Sequence, residues 1–231
     1  MGTDLYRWLA WVVAVGVMAG IGLRMRRWAE AYAQRLYAGH DATSGTLFQA
    51  FLDSSPLRPV IDGFAALLLG ALGGAVLGVQ GASAWPWVAL VFILAALAWI
   101  DACSGLLPDA LTLPFMILAW VWGPLTLTTA SSASALVWAG LTAAAGLFYW
   151  WRGREGLGAG DIKYLAALAG WVGVPSACLV LWLASLLGGL AWLCSSRIRR
   201  QGACAFGPCI SVAALPVVLW GDAWLTRSGI A

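Results

Sequence analysis

The sequence predicts an all-α protein, a polytopic transmembrane helical bundle of about eight membrane segments, and three observations predict it. Hydrophobic residues make up 62% of the 231-residue chain and charged residues only 10%, with a mean hydropathy of +0.85, well outside the range of soluble domains. The apolar residues gather in runs near 5–23, 61–79, 85–100, 111–128, 133–151, 161–174, 176–194 and 206–225. The 28 glycines and 16 tryptophans suit closely packed membrane helices with aromatic residues at both interfaces. The lipid bilayer is therefore an expected partner, and nucleic acid is not.

The first run carries Arg7 near its start and ends at Arg24, Arg26 and Arg27 without a small-residue cleavage site, so it reads as a retained anchor. With the polar stretch after it, it forms an expected first division, residues 1–60, a helix plus a cytoplasmic loop. Residues 61–231 form the expected membrane-embedded core. Within that core the run 85–100 stops at Asp101, and 111–128 follows Pro108-Asp109. The run 133–151 gives way to Arg152 and Arg154. The run 161–174 is short, ending at Gly173 and Pro175, and ~14 residues rise only ~21 Å. It needs a thinned bilayer or burial inside the bundle.

Basic residues fix the expected orientation, because cytoplasmic loops carry the excess of Lys and Arg. Arg24, Arg26, Arg27, Arg35 and Arg58 fall in one loop, Arg152, Arg154 and Lys163 in a second, Arg197, Arg199 and Arg200 in a third. Placing all three in the cytoplasm gives eight spans with both termini outside. The links near 80–84, 129–132 and 175 carry no charge, as external links should. Alternation alone then puts the segment 101–109 in the cytoplasm.

Two segments carry the chemistry. In Glu155-Gly156-Leu157-Gly158-Ala159-Gly160-Asp161-Ile162-Lys163 a carboxylate stands at the mouth of an apolar helix, where an ionisable group is costly and functional by default. The other runs from Asp101 through Pro108 and Asp109 to Pro114. Both open on the same expected face, so Asp101 and Asp161 can converge. Two carboxylates in one site cannot both ionise cheaply. The ionised one can take a proton from water while the neutral one polarises a carbonyl and later protonates the leaving amine. Gly158 and Gly160 leave the backbone bare for a close approach.

Each residue also has a plainer role. Asp101 can cap at the interface, Asp161 can N-cap its helix, and Asp109 reads as a cap after Pro108, with substrate contact as a second role. Glu155 beside Arg152 and Arg154 is either a solvated charge or a substrate contact. Lys163 is expected to meet water or lipid headgroups, with tuning of Asp161 or contact with substrate as the alternatives. Cys204 and Cys209 lack a second pair, and Cys178 and Cys194 fall in expected spans; all read as core thiols. Cys103 is an expected accessible thiol near Asp101, and His40 an exposed residue. No metal and no cofactor is expected.

Together the two segments resemble the type IV prepilin peptidases, the bacterial branch of the membrane aspartyl proteases with a Gly-x-Gly-Asp motif. The resemblance selects Asp101, eight residues before Asp109, as one catalytic aspartate and Asp161 as the other. The continuation Ile162 to Trp171 and the triplet Phe206-Gly207-Pro208 are similar to the family as well, and the likeness covers about residues 60–225. It implies cleavage of the basic leader of type IV prepilins or pseudopilins at the cytoplasmic face of the inner membrane. Residues 24–60 contain no cysteine and lack the Ser-Phe-Leu-Asn signature. A shortened, peptidase-only member is thus expected, without N-methyltransferase activity. The rival readings are a proton-coupled transporter using the same aspartates and a noncatalytic membrane scaffold of a pilus or secretion assembly. The presenilin branch shares the glycine motif, but here Ile100 precedes Asp101 where that branch has Tyr, and no Pro-Ala-Leu occurs.

Overall fold

The computed structural model describes residues 24–25, 27–38, 85–194 and 205–228, with side chains described as far as Val218 and not at Trp85. These residues are all-helical: α1 (27–37), α2 (Trp85–Ser104), α3 (Asp109–Trp122), α4 (Leu127–Arg152), α5 (Ala159–Cys194) and α6 (Gly207–Ser228). The chain divides into two compact units, Met1–Ser104 and Gly105–Ala231. The expected runs 5–23 and 61–79, His40 and the boundary at residue 60 lie outside the described residues.

In the first unit, α1 is a helix inside what the sequence presents as a loop. Ala29, Tyr32 and Ala33 are its buried residues, and Met25 just before it is buried as well, at the spacing that puts them on one helical face. The Tyr32 hydroxyl is buried with no hydrogen-bond partner among the described residues, and burial pushes its phenol above the ordinary value. The helix α2 is apolar around most of its circumference, with Leu90, Leu94, Leu97 and Ile100 fully buried. It runs past the expected end at residue 100, so Asp101 belongs to its last turn. Ser104 Oγ donates to the Ile100 carbonyl at 2.7 Å, and Gly105, at φ +67°, takes the left-handed position that closes helices of this kind.

In the second unit the expected run 111–128 is interrupted. Gly123 and Pro124 stop α3 after Trp122, since Pro disfavours a helical residue before it. Thr126 then caps α4, its hydroxyl accepting from the Thr129 amide at 3.3 Å. The uncharged link is therefore 123–126, and residues 129–132, expected as a link, are the first turns of α4. At its other end α4 closes on Gly153, at φ +66°, whose amide donates to the Tyr149 carbonyl at 2.8 Å.

The 36 residues of α5 are not one rod. Straight, they would set Tyr164 and Gly188 about 36 Å apart. Yet Tyr164 Oη lies 2.7 Å from Ser211 Oγ, and a methyl on Gly188 would sit 3.7 Å from the Phe206 ring and 3.9 Å from Cys209 Sγ. Phe206 to Ser211 span less than two turns, so both ends of α5 meet the start of α6. Leu165 and Leu181 likewise wall one cavity of about 260 Å³ with Leu136 and Leu141 of α4. The helix thus folds back on itself at Gly173, whose φ of 80° and ψ of 167° only glycine adopts without strain. Its limbs, 159–172 and 174–194, reverse beside Pro175, where the sequence places a link. Ala133 of α4 packs with Ala169 and Ala177, one from each limb; small side chains let membrane helices approach this closely.

Among the described residues α2, α4 and α5 are long and apolar enough to cross a membrane, while α3 and the stretch Gly207–Val218 of α6 are shorter. Only 17% of the most apolar window of α4 and of α5 is buried, so Trp138, Leu147, Trp182 and Leu190 lie on the outside. An apolar exterior of this extent is explained by lipid; the chain is a membrane protein.

Candidate active site

Asp161 stands in the first turn of α5, closed by a hydrogen bond from the Ile162 amide to the Gly158 carbonyl at 3.2 Å. The glycines around it are there for space. A methyl on Gly158 would lie 3.2 Å from Asp161 Oδ2, one on Gly160 2.9 Å from Leu107 Cβ, and one on Gly156 2.6 Å from the Phe148 ring. Contacts under about 3 Å are not tolerated in packed interiors. The Gly-x-Gly-Asp turn therefore rests on the turn that precedes α3.

That turn is Gly105-Leu106-Leu107-Pro108. The buried Pro108 occupies the N-cap position of α3 without a side-chain cap, and its carbonyl accepts from the Leu111 and Thr112 amides at 3.0 and 3.2 Å. Asp109 is the first helical residue rather than the cap, and its carboxylate is engaged by Lys163, whose Nζ donates to Oδ1 at 2.7 Å and to Oδ2 at 2.8 Å. Lys163 thus meets a carboxylate within the same unit, where water or headgroups were expected. The two side chains are 37% and 53% exposed.

On the other side of the same turn Tyr164 is fully buried, edge-on to Phe115 of α3 with ring centroids 6.1 Å apart, and bonded to Ser211 of α6. Ser211 Oγ also donates to the Gly207 carbonyl at 2.9 Å. Having one proton, it must accept from Tyr164. The first turn of α5 is therefore held from α3 by Lys163 and from α6 by Tyr164. Neither contact was legible beforehand, since nothing in the spacing of Asp109, Lys163, Tyr164 and Ser211 pairs them.

Beside Lys163 a cavity of about 450 Å³ opens between α3, α4 and α5, lined by Thr112, Met116, Ser131, Ser134 and Trp138 among others. At its wall Trp120 Nε1 donates to Ser134 Oγ at 3.0 Å. Asp101, in the other unit, is 4% exposed, and Cys103 is partly buried. Glu155 and Arg154 are exposed, and the exposed Arg152 guanidinium lies 5.0 Å over the Trp151 ring. Cys178 and Cys194 are exposed and Cys209 partly buried, so the core-thiol expectation does not hold for the first two. Cys204 lies outside the described residues.

Residues 88–193 match the type IV leader peptidase family. The chain is 38% identical over 170 residues to the prepilin leader peptidase/N-methyltransferase of Dickeya chrysanthemi, covering 68% of this chain and 56% of that one. It is 34% identical over 175 residues to the protein of the same name from Aeromonas hydrophila, covering 69% and 58%. For that from Neisseria gonorrhoeae the identity is 29% over 177 residues, covering 70% and 60%. The chain thus spans a little over half the length of these relatives. No solved structure matches it.

Proposed function

The chain belongs to the type IV leader peptidase family through residues 88–193, and from that membership we propose that it is an aspartic endopeptidase that removes the basic leader of type IV prepilins or pseudopilins. The observation that carries the proposal is the seating of the Gly-x-Gly-Asp turn on the Leu-Pro-Asp turn, Gly160 against Leu107. Asp101 and Asp161 both fall within the matched segment. They act as a dyad sharing one proton. The ionised carboxylate takes a proton from the attacking water, and the protonated one polarises the scissile carbonyl and then delivers its proton to the leaving amine. The titration belongs to the pair rather than to either aspartate.

The site faces the cytoplasm across the inner membrane, as the basic loops support. Asp101, Glu155 and Asp161 draw a basic leader toward it, while the charge of Asp109 is offset by Lys163. We assign peptide cleavage alone, because residues 24–60 hold no cysteine, and leave out the N-methyl transfer that the relatives' names also carry.

The test is cleavage of a co-expressed prepilin. Asp101→Asn and Asp161→Asn each abolish processing while expression and membrane insertion persist. Processing near the wild-type rate in either variant overturns the dyad. Cysteines placed at Gly158 and next to Asp101 react with an impermeant reagent from the cytoplasmic side only; reaction from outside overturns the orientation.

A further inference from the structure

We propose that the Asp109–Lys163 ion pair is a positioning clamp that fixes the carboxylate of Asp161, rather than a place where substrate binds. The inference rests on the reading of Asp161 as catalytic.

Lys163 follows Asp161 by two residues in the first turn of α5, and Asp109 is the first residue of α3. Their bidentate contact, at 2.7 and 2.8 Å, joins residues 54 apart in sequence and so ties together the starts of two helices. Those starts carry the two motif turns, which touch again at Gly160 and Leu107. A single contact between two segments leaves a pivot; a second one, on the far side of Asp161, removes it. On the remaining side Tyr164 fixes the same turn to Ser211.

The pair is half-exposed, so its worth in global stability is small. Its effect is geometric. A carboxylate displaced by about 1 Å costs catalysis far more than it costs folding. A lysine whose charge is already matched by both oxygens of a carboxylate is also a poor anchor for a further acidic group. The pair therefore acts on the rate of the chemical step and not on affinity for the leader.

The experiment compares Asp109→Asn, Lys163→Met and the double swap Asp109→Lys with Lys163→Asp, in purified full-length protein, by prepilin cleavage kinetics and by hydrogen exchange of the 157–165 amides. Each single variant lowers kcat about tenfold with KM within about twofold, and loses amide protection in that segment. The swap restores kcat to within about threefold, the remainder reflecting Lys at a helix N-terminus. A raised KM at unchanged kcat would mean that the pair contacts substrate, and unchanged protection in Lys163→Met would mean that it holds nothing; either overturns the clamp. Undiminished cleavage by Asp161→Asn in the same assay would instead overturn the peptidase dyad, and the exchange measurement would still decide whether the pair orders the turn.

Discussion

Tyr164 gives its hydroxyl proton to Ser211 across a buried 2.7 Å contact between α5 and α6, because Ser211 has already given its own to the Gly207 carbonyl. The direction of that bond makes the two partners unequal. Tyr164→Phe leaves Ser211 with its donor satisfied and forfeits about 0.5–1.5 kcal/mol. Ser211→Ala removes two contacts, those to Tyr164 and to the Gly207 carbonyl, and costs about 1–3 kcal/mol. Unfolding in detergent will therefore rank Ser211→Ala as the more destabilised of the two, and the reverse order would contradict the two-contact role of Ser211.

Gly160→Ala places a methyl against Leu107 Cβ, an atom that no rotamer change can move away. The two motif turns must separate, and cleavage is expected to fall ~10- to 100-fold in a protein that still inserts. Adding Leu107→Gly removes the opposing atom and recovers part of the loss. Prepilin processing by the single and double variants, at matched expression, checks this.

Gly173 reverses α5 at a φ of 80° and ψ of 167°. Any other residue there costs about 1–3 kcal/mol of backbone strain, and the methyl of alanine meets nothing closer than Pro175 Cδ at 3.9 Å. Gly173→Ala is thus a test of backbone strain with little clash. It lowers the melting temperature, whereas Gly140→Ala, in open space on α4, leaves it unchanged or higher because alanine favours a helix.

Tyr32 predicts an alkaline effect. Its phenol is pushed above the ordinary value of 10.0 by burial, so the folded protein keeps a proton that the unfolded chain releases. Stability from this residue is complete below pH 10 and falls as pH rises from there toward the folded value. Tyr32→Phe removes this decline and also removes a buried hydroxyl with no partner among the described residues. Denaturation midpoints at pH 8 and about pH 10.5 will differ less in the variant than in the parent, and at pH 8 the variant is at least as stable.

What the sequence makes legible here follows from what each feature depends on. Helix α2 and the second limb of α5 are apolar runs bounded by charge or proline, and composition alone locates them. The glycine motif is legible because Gly158, Gly160 and Asp161 are contiguous. The join between α3 and α4 was misplaced because Gly123-Pro124 and the capping Thr126 lie inside an otherwise apolar stretch, where a window average hides them. The helix 27–37 was missed because only Met25, Ala29, Tyr32 and Ala33 carry its stripe among polar neighbours. Asp109–Lys163 and Tyr164–Ser211 depend on helix placement, which residue spacing does not encode.

The reversal of α5 also bears on how the protein is made. The limb that carries Asp161 has 14 residues before Gly173, roughly 21 Å of helix, too little to be stably handed to the bilayer by itself. The limb that follows, 174–194, has the length and the apolarity to go in. Entry of the two limbs together, as a hairpin, leaves Asp161 at the surface from which it starts. On that route the carboxylate of Asp161 is set in place only after the residues behind it have been translated.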